Sequence, residues 1–214
     1  LDCVTNALVE NSRFSVGDDA LCVKSGKDFA GRQYAHPARD IVFRNIDIGT
    51  GHGITIGSES SGGVFNVTFE NITMSGGGKL MHDANGPRIK SQRGRGGVVD
   101  GITYRNIHAH DLDEMIQLTL NYHTGLPKTN KTATPALRNV LIEDCTFTGG
   151  KDDVSLHHHK SDYNNAGVMV RAPMLEADEK DWEWILASFA PGDRARVESI
   201  LSEPGARQRH GIGA

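Results

Sequence analysis

Two adjacent carboxylates and a histidine are the residues of this sequence best suited to chemistry. Asp18 and Asp19 are neighbours, and adjacent acids split their proton affinities, so that one can be protonated while the other is ionised. Hydrolysis of a glycosidic bond needs both states: a donor for the leaving oxygen and a carboxylate that activates water or attacks directly. His52 lies between two glycines, which leaves room for a sugar ring and lets the imidazole orient a neighbouring acid. We therefore predict that Asp18, Asp19 and His52 are catalytic.

A cluster of cations follows further along the chain. Arg88 and Lys90 are alternate residues and would share one face of a strand. Arg93 and Arg95 follow them, in a chain whose formal net charge is −4. Because guanidinium and carboxylate pair naturally, this cluster predicts a binding site for anionic groups, although Arg93 and Arg95 could simply be solvated.

These motifs occupy equivalent places in a repeated unit. The unit has the core apolar-x-[Glu/Arg]-[Asn/Asp]-x-x-apolar, and its anchor residues are Asn11, Asn45, Asn71, Asn106 and Asp144. Asp18 comes seven residues after its anchor, and His52 comes seven residues after the next one. The equal offset predicts that both lie in the same turn of successive units.

The repeat predicts a parallel β-helix, a right-handed all-β solenoid by the resemblance given below. Each unit alternates apolar and polar residues, as strands do, and no convincing helical stripe precedes residue 170. Successive coils would lie ~4.8 Å apart, so equivalent residues would form columns. Apolar residues would fill the interior, and each anchor Asn would sit at a bend where its amide caps backbone groups.

The motifs, taken in order, resemble a known family. Gly17-Asp-Asp19, Gly51-His-Gly53, Arg88-Ile-Lys90 and then Tyr122 resemble the polygalacturonases of glycoside hydrolase family 28, over residues 1 to 150 or so. The resemblance implies hydrolysis of α-1,4-galacturonosyl linkages of pectin with inversion and without a cofactor. It implies that Asp18 is the general acid and that Arg88, Lys90 and Tyr122 bind substrate.

The resemblance also implies a third carboxylate. In the family, the residue matching Asp19 shares the activation of water with an Asp one coil upstream, in an Asn-Thr-Asp motif. Asp2 does not lie in such a motif. We therefore expect an N-terminally truncated fragment whose activity is crippled.

Other functions stay open at this point. Rhamnogalacturonan and xylogalacturonan hydrolases belong to the same family, and the loops beside the groove decide between these substrates. A pectate lyase would need Ca²⁺ held by clustered carboxylates. A non-catalytic carbohydrate-binding β-helix would fit the repeats but gives no reason for four ordered motifs.

Composition limits the partners and the metal chemistry. The chain of 214 residues contains 25 Gly and no apolar run near the ~20 residues of a membrane span. We expect an acidic polysaccharide as partner, no nucleic acid, no membrane and a monomer.

Cys3, Cys22 and Cys145 are too few for a disulfide framework, and His157–His159 lacks the spaced ligands of a metal site. Because pectin does not enter cells intact, we expect secretion or a periplasmic location.

The pattern changes near the C-terminus. We assign residues 1–165 to the β-helix, without its N-terminal coils, and residues 166–214 to a helical tail. In this tail, apolar residues recur at helical spacing, namely Leu175, Trp182, Ile185, Leu186 and Phe189. The tail would cap the solenoid or be a foreign segment.

Overall fold

The chain is built from long and short strands in alternation. The computed structural model describes residues 1–75, 84–120, 122 and 133–147, and the backbone of 152–157 and 166–170. Its elements are β1 (Thr5–Ser15), β2 (Leu21–Val23), α1 (Asp28–Tyr34), β3 (Ala38–Thr50), β4 (Ile54–Gly57), β5 (Val64–Ser75), β6 (Pro87–Lys90), β7 (Val98–His110), β8 (Glu114–Thr119), β9 (Ala136–Glu143), β10 (Thr146–Phe147), β11 (Asp152–His157) and β12 (Ala166–Val170).

The strands form two parallel sheets that wrap one solenoid. The first has the order β1-β3-β5-β7-β9-β12, with β10 beside β7, and the second has the order β11-β8-β6-β4-β2. Every described pairing between strands is parallel, and each strand pairs with its equivalent in the next coil. The predicted parallel β-helix is therefore confirmed.

The interior of the solenoid is apolar, as the alternation predicts. Ile41, Ile48 and Ile56 have no exposed surface. The rings of Phe43 and Tyr104 each stack on Phe69, with ring centroids 4.9 Å apart and planes inclined by 7°. This spacing matches the ~4.8 Å separation of neighbouring strands, so the aromatic column fixes the register of three coils.

Each long strand bends at its anchor residue. The five anchors have φ between 51° and 56°, the left-handed region that asparagine tolerates better than most residues. The amide of Asn45 donates to Asn11 (3.2 Å), that of Asn71 donates to Asn45 (3.1 Å), and that of Asn106 donates to Asn71 (2.7 Å). The predicted bend is correct, but the predicted backbone cap is wrong. The coil spacing places equivalent side chains within reach of one another, and they form a ladder.

A second column of bends lies five residues before the anchors and was not predicted. Its members have φ between 49° and 70°, and they are Asn6, Asp40, Asn66, Gly101 and Asn139. Asn66 donates to Asp40 over 2.8 Å. Asn139 donates to Asp100 over 2.7 Å, because its register partner is a glycine without a side chain.

The charged position of the repeat forms a ladder on the outer face. Register places Glu10, Arg44, Glu70, Arg105 and Glu143 side by side, so that the sign of the charge alternates along the solenoid. Arg44 contacts Glu10 at 2.8 Å, and Arg105 contacts Glu143 at 2.6 Å. Opposite charges facing each other across parallel strands favour this register over a slipped one.

Helix α1 departs from the sequence prediction. Its seven residues are too few to show a helical stripe. Arg95 contacts Asp28 at 2.9 Å with 2% of its own side chain exposed, and Arg32 donates to the Gly94 carbonyl. Arg95 therefore ties the loop after β6 to α1 and belongs neither to a site for anions nor to the solvated surface.

The C-terminal boundary also differs. Ala166–Val170, assigned above to the helical tail, is strand β12 and pairs with β9 in parallel. The backbone there continues the sheet hydrogen bonding, so the solenoid extends at least five residues beyond residue 165. The apolar residues of the expected helices, from Leu175 to Phe189, lie outside the described residues.

None of the three cysteines is in a disulfide. Cys3, Cys22 and Cys145 are free; Cys145 is buried and Cys22 lies in β2, whereas Cys3 is exposed. Within the described parts of the chain, no helix has the length and apolar composition that crossing a membrane requires.

Candidate active site

Asp18 and His52 occupy the same turn of neighbouring coils. The backbone N–H of His52 donates to the carbonyl of Asp18 over 2.9 Å. Nδ1 of His52 lies 3.3 Å from Oδ1 of Asp18. Because Asp18 precedes β2 and His52 precedes β4, the pairing of these two strands holds the turns together, as the equal offset predicts.

The glycines beside His52 serve backbone packing. Gly51 and Gly53 have φ of 153° and 134°. A Cβ at Gly51 would lie 2.8 Å from the Cβ of Ala20, and one at Gly53 would lie 2.5 Å from the carbonyl oxygen of Asn85. The prediction that these glycines leave room for a sugar ring is therefore wrong, because neighbouring coils fill that space.

Asp19 lies at the centre of a network of donors. Lys90 Nζ donates to both carboxylate oxygens, at 3.1 and 2.8 Å. Thr55 donates to Oδ1 over 2.8 Å, and the Cys22 thiol lies 3.7 Å from Oδ2. Arg88 Nη1 is 3.6 Å from Oδ1. Both oxygens are therefore engaged, which fixes the orientation of this carboxylate.

Arg88 and Lys90 project from the outer face of β6. The side chains of Arg88 and Lys90 are 2% and 8% exposed, and that of Asp19 is 10% exposed. The predicted shared face is correct. Without substrate, however, the anion that Arg88 and Lys90 contact is the carboxylate of Asp19.

Tyr122 completes the cluster. Lys90 Nζ lies 5.2 Å from the centroid of its ring, and the guanidinium carbon of Arg88 lies 5.8 Å from it. Both distances are within the range of cation–π attraction. The backbone N–H of Tyr122 donates to the carbonyl oxygen of Ser91 over 2.9 Å, which holds Tyr122 beside the segment after β6. All six residues proposed from the sequence therefore meet at one face.

The two carboxylates differ in exposure and surroundings. The side chain of Asp18 is 84% exposed. The backbone N–H of Asp19 donates to Oδ1 of Asp18 over 2.7 Å, and this bond, more than the nearby charges of His52 and Lys90, lowers the pKa of Asp18. Asp18 in the free protein is thus ionised at neutral pH, whereas a general acid must hold a proton when the bond breaks.

Thr55, Gln117 and Glu114 also belong to the network and were not predicted. Thr55 on β4 and Gln117 on β8 are the register partners of Arg88 on β6. Arg88 Nε donates to Gln117 Oε1 over 2.6 Å, and Gln117 in turn donates to Glu114. Thr55 and Gln117 could have been found by counting along the strands from Arg88, but neither residue type alone indicates chemistry.

The site could be considered for a metal ion. Asp18, Asp19 and His52 each offer a ligand atom, and these atoms lie within 4.8 Å of one another. Lys90, however, already donates to both oxygens of Asp19, and Arg88 lies beside it. A cation bound there would meet two positive charges, so the arrangement suits proton transfer better than metal binding.

Fold and site together define a class of protein. A parallel β-helix that carries paired carboxylates, an imidazole and buried cations on one outer face has the groups that glycoside hydrolysis requires. The family model "Glycosyl hydrolases family 28" matches residues 3–172. The chain therefore belongs to this family.

Individual relatives agree with the assignment. The chain is 33% identical over 141 residues to an endo-polygalacturonase of Pectobacterium carotovorum subsp. carotovorum, covering 66% of the chain and 31% of that protein. It is 33% identical over 140 residues to a polygalacturonase of Ralstonia nicotianae, covering 65% of the chain and 24% of that protein. The chain thus spans about a third or less of these relatives.

A solved structure supports the fold independently. The exopolygalacturonase of Thermotoga maritima superposes with a TM-score of 0.69 at 26% sequence identity. The match covers 82% of this chain and 42% of that one. The parallel sheets described above are therefore similar in fold to the matched part of that exopolygalacturonase.

Proposed function

We propose that the complete gene product containing this chain hydrolyses α-1,4-galacturonosyl linkages of pectin or polygalacturonate. The observation that carries the proposal is the convergence of Asp18, Asp19 and His52 with two buried cations on one outer face. The relatives named above are endo- and exopolygalacturonases. The substrate in this proposal is an acidic polysaccharide outside the cytoplasm. The enzyme would therefore be secreted or act in the periplasm.

Asp18 is the proposed general acid, and substrate binding has to change its protonation. Its exposed carboxylate has a lowered pKa in the free protein. A sugar that covers Asp18 would displace water and disfavour the charged form, which raises the pKa. His52, 3.3 Å away, then acts as the group with which Asp18 shares the proton.

Asp19 is proposed to align the attacking water together with a further carboxylate. Inverting pairs are usually roughly 6.5–9.5 Å apart, to leave room for the water. The nearest ligand atoms of Asp18 and Asp19 lie within 4.8 Å, which is short for such a pair. Asp2 does not supply the additional group, because its Oδ1 accepts from the Gly26 N–H at 2.9 Å, beyond the far end of β2.

Substrate binding is assigned to Arg88, Lys90 and Tyr122. The ring of Tyr122 lies over both cations. A galacturonate carboxylate that approaches this face would compete with Asp19 for the N–H groups of Arg88 and Lys90. Binding of the substrate and orientation of Asp19 are therefore coupled in this proposal, since one pair of cations serves both.

A product assay tests the proposal. The complete gene product should release reducing ends from polygalacturonate at a rate that EDTA leaves unchanged. Inversion predicts that the α linkage yields a β-configured product, which proton NMR detects early in the reaction. Accumulation of an unsaturated product that absorbs in the ultraviolet, or dependence on Ca²⁺, would show a lyase and overturn the proposal.

A further inference from the structure

Arg88 donates a hydrogen bond to a side chain of the next coil of the solenoid. Register places Gln117 of β8 directly beside Arg88 of β6. Gln117 accepts from Arg88 Nε over 2.6 Å through its amide oxygen, and its amide nitrogen donates to Glu114. Three side chains thus form a chain of hydrogen bonds that ends in a carboxylate.

This contact determines which edge of the guanidinium is presented to the site. A guanidinium is planar, with its five N–H donors in a fixed fork, so a bond at Nε fixes the plane of the whole group. Nη1 then lies 3.6 Å from Asp19 Oδ1, and the ring of Tyr122 lies 5.8 Å from the guanidinium carbon. With 2% of the side chain exposed, small rotations of this plane would change its contacts.

The amide of Gln117 is itself oriented. An unconstrained amide could turn either its oxygen or its nitrogen toward Arg88, and the nitrogen would repel the Nε–H. Because Glu114 accepts a hydrogen bond, the nitrogen faces Glu114 and the oxygen faces Arg88. The negative charge of Glu114 also partly balances the buried guanidinium, which has little contact with solvent.

We propose that Gln117, backed by Glu114, is a positioning residue that sets Arg88 for recognition of the galacturonate carboxylate. This inference rests on the proposed function. It predicts a specificity effect: the relay matters for a free carboxylate and not for a methyl ester, because an ester lacks the charge that a bidentate guanidinium recognises. A residue that only packs the sheet would affect both substrates alike.

The test compares Gln117→Leu and Glu114→Gln with the wild type in the complete gene product. Kinetics are measured on polygalacturonate and on highly methyl-esterified pectin. Gln33→Leu, which removes an exposed amide on α1, is the matched control. We expect Gln117→Leu to raise KM for polygalacturonate about tenfold or more, the usual effect of losing a hydrogen bond to a charged group. Glu114→Gln keeps an acceptor oxygen but removes the charge that balances Arg88, so it should raise the same KM by a smaller factor. We expect kcat, and both constants on esterified pectin, to change less than threefold.

The outcomes separate this inference from the proposed function. If the wild type cleaves neither substrate, the proposed function fails and the inference fails with it. If the wild type is active but the relay variants lose activity equally on both substrates, or match the control, the inference alone is wrong. If Gln117→Leu does not fold, Glu114→Gln, which conserves volume, decides the question by the same comparison.

Discussion

Oδ1 of Asp18 lies 3.3 Å from Nδ1 of His52, although 33 residues separate them in the sequence. A backbone hydrogen bond of 2.9 Å joins the same two residues. The solenoid brings them together because each follows its anchor asparagine by seven residues. Chemistry at this site therefore depends on the register of the coils as much as on the side chains.

Asp18 should titrate below the ordinary range of an aspartate in the free protein. Its folded pKa is lowered, first by the Asp19 N–H and then by the charges of His52 and Lys90. The stabilisation that this gives is complete above the unfolded pKa and is lost as pH falls through the lower folded pKa. Carboxyl-carbon NMR of Asp18 between about pH 2 and 6 measures this value, because the ordinary pKa lies near 4.

His52→Asn should move the titration of Asp18 only slightly upward, since the backbone hydrogen bond of Asp19 remains. His108→Asn, on the outer face beside Asn106, should leave it unchanged. A pKa of Asp18 above its ordinary value in the free wild type would contradict this prediction.

Asp19→Asn should destabilise the chain far more than loss of a surface charge. It removes the buried partner of Lys90 and leaves two cations without their shared anion. Breaking a buried pair from one side costs about 3–5 kcal/mol. Chemical denaturation measures the change in the free energy of unfolding.

The matched control for this variant is Glu10→Gln. It breaks the partly exposed pair of Glu10 with Arg44, which should cost at most about 1 kcal/mol. Equal losses for the two variants would mean that the site cluster does not stabilise the fold.

Asn71→Ala should destabilise the solenoid through two separate effects. Asn71 has φ of 53°, a conformation that costs alanine roughly 1–2 kcal/mol. Its side chain also accepts from Asn106 and donates to Asn45, and each such bond contributes about 1 kcal/mol. We expect a total loss of about 3 kcal/mol in the free energy of unfolding, measured in urea.

Asn71→Gly separates the two effects, because glycine adopts this conformation without strain. It should lose the hydrogen bonds but avoid the strain, and so be the more stable of the two variants. If the alanine variant equals the wild type in stability, the ladder does not hold the coils in register.

The sequence was sufficient to predict the coil and to predict that the candidate site residues lie together on one face. Repeated anchor residues can be counted in the sequence alone. Because parallel pairing places equivalent residues of successive coils side by side, residues at equal offsets from their anchors become neighbours. The offset does not indicate chemistry by itself: Asp113 also follows its anchor by seven residues, yet its carboxylate accepts from the Ala84 N–H at 3.1 Å, as an ordinary turn residue does.

The errors have a common physical origin. Gly51, Arg95 and the amides of the anchors were interpreted from what each residue type does alone. In the structure, each is governed by other coils: a neighbouring coil fills the space at Gly51, Asp28 from two coils away pairs with Arg95, and each anchor asparagine contacts the anchor of the next coil. Which side chain of a neighbouring coil is within reach depends on loops whose lengths differ from unit to unit, and a single sequence does not fix their path.

The activity of Asp18→Asn in the complete gene product tests the role of Asp18 as general acid most directly. The substitution removes a proton donor with almost no change in volume. Asp47→Asn, which alters an exposed carboxylate paired with Arg13, is the control. Initial rates of reducing-end release from polygalacturonate, together with the affinity for oligogalacturonate, distinguish catalysis from binding.

If Asp18 is the general acid, Asp18→Asn lowers kcat by about 10²–10⁴-fold, the usual contribution of general acid catalysis, while binding and the Asp47→Asn control stay near wild-type values. An Asp18→Asn enzyme that retains a rate within threefold of the wild type would contradict the assignment of this face as the active site.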